Sequence, residues 1–245
     1  MSQNLIEEME VIGDHQKAEG EPLQDVLIDR SLYQNIKKQH LEVRPSEGFR
    51  NTFLDKFKRR KQVYYGEKHS EVRYTGNRIA LPLLIKSDIE EKLQNIGINT
   101  EKTVVHLGAA RIMIKAAFRE GLNTPLNLVL RDDRIIPRKA ATYGIIEANL
   151  CYQKLIFTLY PQHAVSLTGD LDKILVLLQD FKRKDLMKDG SHSYTITYHV
   201  SYAVSNSHGV LYEDKEFIEI PDVFKSVGRV HPPEYADEIE MPEEV

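Results

Sequence analysis

The sequence has a single cysteine, Cys151, among its 245 residues. One cysteine cannot form an intrachain disulfide or a thiolate zinc site, and it is typical of a protein in a reducing compartment. No stretch reaches the roughly 18 to 20 consecutive apolar residues of a membrane-spanning helix, and the acidic amino terminus lacks the basic start of a signal peptide. We therefore expect a soluble, intracellular protein.

Catalytic motifs are also missing. The nine histidines are scattered and form no H-E-x-x-H pattern, and the sequence has no Walker loop and no G-x-G-x-x-G. His106 and His199 lie in apolar runs, where a histidine is more often structural than a metal ligand. Asp132 and Asp133 are adjacent, so on an extended chain they point to opposite sides and cannot share one ion. We expect no enzymatic activity, no cofactor and no metal.

Charge is distributed unevenly along the chain. The net charge is −4, but residues 30–78 contain 13 Lys or Arg against 5 Asp or Glu, whereas residues 213–245 contain 3 against 11. The local sign of the charge decides which partners a surface attracts. The sequence therefore predicts a basic arm and an acidic tail.

Composition divides the chain into three regions. Residues 1–50 are charged and poor in apolar runs, which predicts a mostly flexible segment in which 23–36 forms a helix on meeting a partner. Residues 51–220 are expected to form the folded core, with a β-sandwich beginning at about residue 79. Residues 221–245 are expected to form a flexible acidic tail.

Short apolar runs separated by turn residues predict a mainly β fold with a few helices. Pro82 places the strand Ile79–Ile85 at an edge or a bulge. Ser87 and Glu90 form a capping box for a helix from Asp88 to Ile96, which Gly97 ends. The run Thr103–Phe118 fits a long bent strand or a buried helix, and Gly108 favours a bulged strand.

The second half of the core continues this pattern. The predicted strands are Asn127–Arg131, Tyr152–Tyr160, Ser193–Val204, Val210–Tyr212 and Phe217–Ile220. Alternation along Ser193–Val204 predicts one buried face and one wet face, and Val210–Tyr212 would pair back as a hairpin. Leu171–Phe181 has apolar residues at helical spacing after Asp170, which predicts a capped helix lying on the sheet.

A candidate nucleic-acid site lies in the basic region, where cations alternate with aromatic rings. Cations neutralise phosphates, and aromatic faces stack on bases irrespective of sequence. A solvated basic helix or a targeting patch would also explain the pattern. The candidate residues are Lys56, Lys58, Arg59, Arg60, Lys61, Tyr64 and Tyr65.

The segment Asn127–Asp170 resembles the core of the thirty-kilodalton superfamily of plant viral movement proteins. An apolar run leads into Asp132, Asp133 and Arg134, which is similar to the strand followed by Asp-x-Arg in that family. A segment from Ala140 to Leu150 and an aromatic strand ending at Pro161 follow in the family's order. Upstream, Leu81–Ile85 and Val105–Gly121, which includes Gly108, look most like the movement proteins of plant pararetroviruses.

The resemblance implies a jelly-roll-like antiparallel β-sandwich that acts in the host cytoplasm and at plasmodesmata, in the cell-to-cell spread of a virus. It implies as partners single-stranded RNA or DNA, further copies of the chain, a virion or coat protein, and host plasmodesmal or membrane-associated proteins. Two other functions remain open. The chain could be a structural protein that forms tubules and conveys virions, or a capsid-like jelly roll.

Four residues form the predicted structural signature: Asp132, Arg134, Gly108 and Gly121. An ionised carboxylate at the end of a strand can accept hydrogen bonds from turn N–H groups or pair with Arg134, and its charge would repel phosphate. We therefore expect Asp132 to fix a loop and not to contact nucleic acid.

Overall fold

The computed structural model describes residues 26–50, 64–74, 80–98, 103–183, 186, 192–206, 210 and 212–237. The candidate residues Lys56, Lys58, Arg59, Arg60 and Lys61 lie outside this part of the chain. The side chains of Tyr64 and Tyr65 also lie outside the description, although their backbone is included.

Two antiparallel sheets form the body of the protein. Six strands make the first sheet: β1 (Tyr64–Tyr74), β3 (Val104–Ala116), β6 (Lys154–Leu159), β7 (Ala164–Ser166), β9 (Tyr194–Ser205) and β10 (Ile218–Glu219). Their order is β1-β9-β3-β6-β10, with β7 also paired to β3.

The second sheet has five strands in the order β11-β5-β4-β8-β2. They are β2 (Leu81–Pro82), β4 (Pro125–Arg131), β5 (Thr142–Asn149), β8 (Val176–Phe181) and β11 (Gly228–His231). One apolar core contains buried residues of both sheets, including Ile112 and Ile114 of β3 and Leu128 and Leu130 of β4. The prediction of a mainly β, sandwich-like fold is confirmed, and the jelly-roll topology stays a prediction.

The α-helices in the described part of the chain are α1 (Arg30–Lys37), α2 (Lys86–Asn95) and α3 (Arg138–Ala141). Short 3-10 turns occupy Leu150–Tyr152, Leu171–Lys173, Asp222–Phe224 and Pro233–Asp237. None of the helices within the described ranges is both long enough and apolar enough to cross a membrane.

The predicted helix Leu171–Phe181 is wrong. Leu171–Lys173 is a single 3-10 turn, Asp170 makes no side-chain cap, and Val176–Phe181 is strand β8. This strand lies between β4 and β2 and is buried along most of its length. An inner strand covered on both faces is apolar at nearly every position, so it can satisfy helical spacing by accident.

The capping box predicted at Ser87 is not used. Helix α2 begins at Lys86, two residues before the predicted start at Asp88, and its N-cap residue Ile85 makes no side-chain hydrogen bond to the helix. The N–H of Lys86 instead donates to Oδ1 of Asp172, at 2.7 Å, from the turn before β8. A distant carboxylate therefore satisfies a free donor of the first turn.

Strand β9 is buried on both faces, which corrects the prediction of one wet face. The segment 43–50 crosses the face of this sheet that lies away from the core. Val43 N lies 3.4 Å from Nδ1 of His199, and the Ser201 hydroxyl donates to the Glu47 carbonyl at 2.8 Å. The chain therefore covers positions that alternation assigned to solvent.

The prediction that Val210–Tyr212 pairs back as a hairpin is also wrong, because the segment pairs with a different part of the chain. Tyr212 forms an isolated β-bridge with Phe49, and Glu213 N donates to Gly48 O at 2.9 Å. The segment 43–50 is therefore hydrogen-bonded both to β9 and to residues 212 and 213, which follow β9 in the sequence.

Two regions that composition assigned to flexible ends contain ordered elements in the described residues. Asp29 caps α1 by accepting from the N–H groups of Ser31 and Leu32, and Ile36 is fully buried. At the other end, β11 pairs with β5 as an edge strand. Tyr235 follows β11, stacks on His231 and donates to Glu147 at 3.2 Å.

Gly108 lies at a close approach between β3 and the segment 43–50. The register of β3 against β9 shifts between Leu107 and Ala110, as the predicted bulge requires. A Cβ added at Gly108 would lie 2.5 Å from the Glu47 carbonyl oxygen and 2.5 Å from Cε2 of Phe49. Only glycine fits here without displacing backbone.

Gly108→Ala is expected to destabilise the fold by about 1–3 kcal/mol because the methyl group meets a carbonyl oxygen and a buried ring. For a chain of this size, each kcal/mol lowers the melting temperature by about 2–4 °C, measurable by circular dichroism. Gly169→Ala is the matched control, because its nearest contact would be 3.2 Å. Equal melting temperatures for the two variants would contradict this account of the bulge.

Candidate functional site

The residue that the sequence singles out, Asp132, lies directly after β4 and is 1% exposed. Its backbone N–H donates to Ala141 O at 2.8 Å, just before β5, and the N–H of Asp133 donates to Lys173 O at 2.8 Å. The end of β4 is thereby bound to the chain before β5 and to the turn that leads into β8. Asp132 stands at the junction of three strands.

Arg134 occupies both oxygens of the Asp132 carboxylate. Its backbone N–H and its Nε donate to Oδ1 at 3.0 and 2.8 Å, and a terminal nitrogen donates to Oδ2 at 2.5 Å. Paired N–H groups of guanidinium match the two oxygens of a carboxylate, and such bonds are among the stronger ones in proteins. The turn is closed on itself by charge-assisted hydrogen bonds.

A third side chain, that of Tyr143 on β5, reaches the same carboxylate. Its hydroxyl lies 3.4 Å from Oδ2 of Asp132, and its ring stacks on Phe217 with centroids 4.6 Å apart. Phe217 immediately precedes β10 of the six-stranded sheet. The contact chain Asp132–Tyr143–Phe217 therefore runs from one sheet to the other.

The electrostatics keep the Asp132 carboxylate ionised. Burial by itself would raise the pKa of Asp132, but the hydrogen bonds and the charge of Arg134, with a contribution from His163, hold this pKa below its ordinary value. The same hydrogen bond raises the pKa of Arg134, and burial together with the Asp132 charge raises the pKa of Tyr143. An ion pair with a neutral phenol beside it is the stable arrangement.

The neighbouring Asp133 takes a different partner. It pairs with Arg131, so the two adjacent carboxylates serve different arginines and do not converge on one point. Across the described parts of the chain, no group of three or more His, Cys, Asp or Glu side chains is arranged to hold a metal ion. With its acceptors committed to Arg134 and Tyr143, Asp132 is suited to holding a loop.

The other predicted residues lie elsewhere in the fold. Gly108 is in the six-stranded sheet beneath the segment 43–50. Gly121 has a φ of +87° and exchanges hydrogen bonds with two segments, accepting from Val26 N at 2.5 Å and donating to Cys151 O at 2.8 Å. Tyr64 and Tyr65 begin β1, opposite Val204 and Ala203 of β9. The structure therefore does not bring the aromatic candidates to Asp132.

Sequence reasoning missed Tyr143 and a pair of lysines. Tyr143 lies eleven residues after Asp132, and only the pairing of β4 with β5 brings it near. Lys115 and Lys154 are directly opposite in neighbouring strands β3 and β6. Register across strands decides both contacts, and no local pattern encodes it.

Comparison with known proteins identifies the class. The family model described as viral movement protein matches residues 33–217. The chain is similar to the movement protein of Figwort mosaic virus (strain DxS), with 36% identity over 211 residues covering 83% of this chain and 65% of that protein. It is also 35% identical to the movement protein of Carnation etched ring virus, over 85% of this chain and 68% of that protein.

A third relative, the movement protein of Cauliflower mosaic virus (strain BBC), is 35% identical over 84% of this chain and 68% of its own length. The chain belongs to the viral movement protein family. The resemblance identified from the residues is thereby confirmed. The chain spans about two thirds of the length of these curated relatives.

Asp132→Ala is expected to lower the free energy of unfolding by about 2–3 kcal/mol, because it removes the acceptor that Arg134 and Tyr143 share inside the protein. Urea denaturation measures the loss.

Asp133→Ala is the matched control, since it removes a neighbouring carboxylate that is 23% exposed and pairs with Arg131. Its expected cost is under about 1 kcal/mol. An Asp132→Ala protein that is as stable as the Asp133→Ala protein would contradict the structural role.

Proposed function

We propose that this chain binds single-stranded nucleic acid without sequence specificity and acts at plasmodesmata to let a plant virus pass between cells. Membership of the viral movement protein family is the observation that carries the proposal. The family match includes the basic region with its alternating cations and rings, and both sheets up to Phe217. Cations and aromatic rings together suit a strand held by its phosphates and bases.

The mechanism follows from the separation of roles within the fold. The Asp132 ion pair holds the loop between β4 and β5 and lies in the five-stranded sheet. The basic region enters the six-stranded sheet as its edge strand β1. Binding would then take place at a surface whose geometry the buried core fixes, and several copies would coat the strand side by side.

Filter binding of single-stranded DNA and RNA across a salt series tests the proposal. Affinity is expected to fall linearly on logarithmic axes, with a slope of about −0.7 per phosphate neutralised, because bound counterions are released. Homopolymers of different base are expected to bind with similar affinity. Affinity that stays flat across the series would contradict phosphate neutralisation.

One observation favours a second function, assembly into tubules that convey virions. Among the described residues, β1 pairs only with β9 and has no strand on its other side, although the Glu67 carbonyl of β1 accepts from Nζ of Lys92 at 2.5 Å. An edge strand with free N–H and C=O groups is a template for pairing with another chain. A second copy of the protein could add to the sheet there.

A fluorescent fusion expressed in leaf tissue distinguishes the two functions. Coating of nucleic acid predicts small foci in cell walls and passage of the label into neighbouring cells, together with filter binding by purified protein. Tubule assembly predicts elongated projections visible by microscopy, with weak filter binding. Label confined to the cytoplasm of the cell that made it would contradict both.

A further inference from the structure

Three cations form a straight row across four neighbouring strands of the six-stranded sheet. Lys154 of β6 is opposite Lys115 of β3, Lys115 is opposite Thr195 of β9, and Thr195 is opposite Arg73 of β1. Residues directly opposite in antiparallel strands lie on the same face. With strands about 4.8 Å apart, the row spans about 14 Å.

This row is on the face that points away from the core. The residues next to it along the strands, Leu155, Ile114 and Ile196, are buried between the sheets. Lys115 and Arg73 are exposed, and Lys154 is half-buried. The charges are therefore available at the surface of the sheet.

Arg111, a cation on the same face, differs from the two lysines because the fold itself supplies its hydrogen-bond acceptors. Arg111, four residues before Lys115, donates to the Glu47 carboxylate at 2.5 Å, to Glu42 O at 2.5 Å and to Thr158 at 3.0 Å. Within the described segments, neither Lys115 nor Lys154 has a carboxylate within ion-pair distance. The fold neutralises Arg111 and leaves the lysine pair positive.

Placing two lysines directly opposite each other costs stability, since like charges at such positions repel. Burial and the nearby charge of Lys115 lower the pKa of Lys154. Among the described residues, the ammonium group of Lys154 donates to a neutral group, the Gln39 carbonyl, at 2.6 Å. A lysine has three N–H donors, so this ammonium group can still bind an anion.

Two more lysines precede Gln39 in the sequence, and the ammonium group of one of them, Lys37, lies over the Tyr33 ring, 4.3 Å from its centroid. Gln39 follows directly after Lys37 and Lys38 at the end of α1, and both of these lysines are exposed. Glu71 lies two residues before Arg73 on the same face of β1, but within the described residues no ion pair joins it to the row. The positive charges of the row therefore repel one another in the absence of a ligand. A polyanion would relieve that repulsion.

We propose that Lys115, Lys154 and Arg73 form a row that contacts successive phosphates of single-stranded nucleic acid, running across the strands of the six-stranded sheet. The inference rests on the proposed function and gives it a location outside Lys56–Lys61. Nucleic acid fits the row better than an anionic membrane does. The large apolar side chains that are exposed in the described residues, at Leu27, Ile96, Ile135, Ile136 and Val230, are absent from the row, and membrane-surface sites combine cations with apolar contact.

The test compares the whole chain with the double variant Lys115→Gln/Lys154→Gln, using a labelled poly(dT) of about 30 nucleotides, which exceeds the site sizes of typical single-strand binders. Two lost phosphate contacts are expected to reduce the salt slope by about 1.4. The melting temperature is expected to stay the same or rise, because the variant removes a repulsion. A measured melting temperature that does not fall excludes lost folding as the cause of a smaller slope.

Arg229→Gln is the matched control, since it removes an exposed cation from β11 of the other sheet, and its salt slope is expected to equal that of the unchanged protein. If the unchanged protein binds poly(dT) and the double variant shows the same slope, the row is not the contact and the inference fails. If the double variant loses binding to phosphatidylserine vesicles but keeps its poly(dT) slope, the row serves a membrane and the inference also fails. If the unchanged protein does not bind poly(dT) at all, the proposed function itself fails.

Discussion

The buried ion pair between Asp132 and Arg134 is the constraint on which the arrangement of the two sheets depends. A carboxylate that is 1% exposed is costly unless every charge and lone pair has a partner. Here Arg134 supplies three donors and Tyr143 a fourth, so the charge is compensated where the chain leaves β4. The stacking of Tyr143 on Phe217 then carries this fixed point to the approach of β10. One local turn in this way sets the position of an element in the opposite sheet.

The ion pair of Asp132 and the proposed nucleic-acid contact lie in different sheets of this molecule. The Asp132 carboxylate is committed to its own loop at the end of β4, whereas Lys115 and Lys154, which pair with no carboxylate of the described residues, are on the outer face of the six-stranded sheet. A negative charge held away from the cationic face does not repel a polyanion there. Under the proposed function, the Asp132 ion pair fixes the loop after β4, and the outer face of the six-stranded sheet contacts the nucleic acid.

The strands with local signals were predictable from the sequence. Pro82 marked an edge, Gly108 marked a bulge, and the apolar run before Asp132 marked β4. The prediction failed where tertiary contacts replaced local rules. The inner strand β8 has apolar residues at helical spacing because both of its faces are covered. The first N–H group of α2 donates to the carboxylate of Asp172, whereas the sequence predicted a cap by Ser87. The opposition of Lys115 and Lys154 depends on register between strands about forty residues apart, which a single sequence does not encode.

A double-mutant cycle on Asp132 and Arg134 tests the central claim most directly, because it isolates the energy of the pair from the effects of each truncation. The free energy of unfolding would be measured for the unchanged chain, Asp132→Ala, Arg134→Ala and the double variant. The account predicts a coupling energy of about 1–3 kcal/mol, with the double variant losing far less than the two single losses combined. Additive losses would show that the carboxylate and the guanidinium act independently, and would contradict the account.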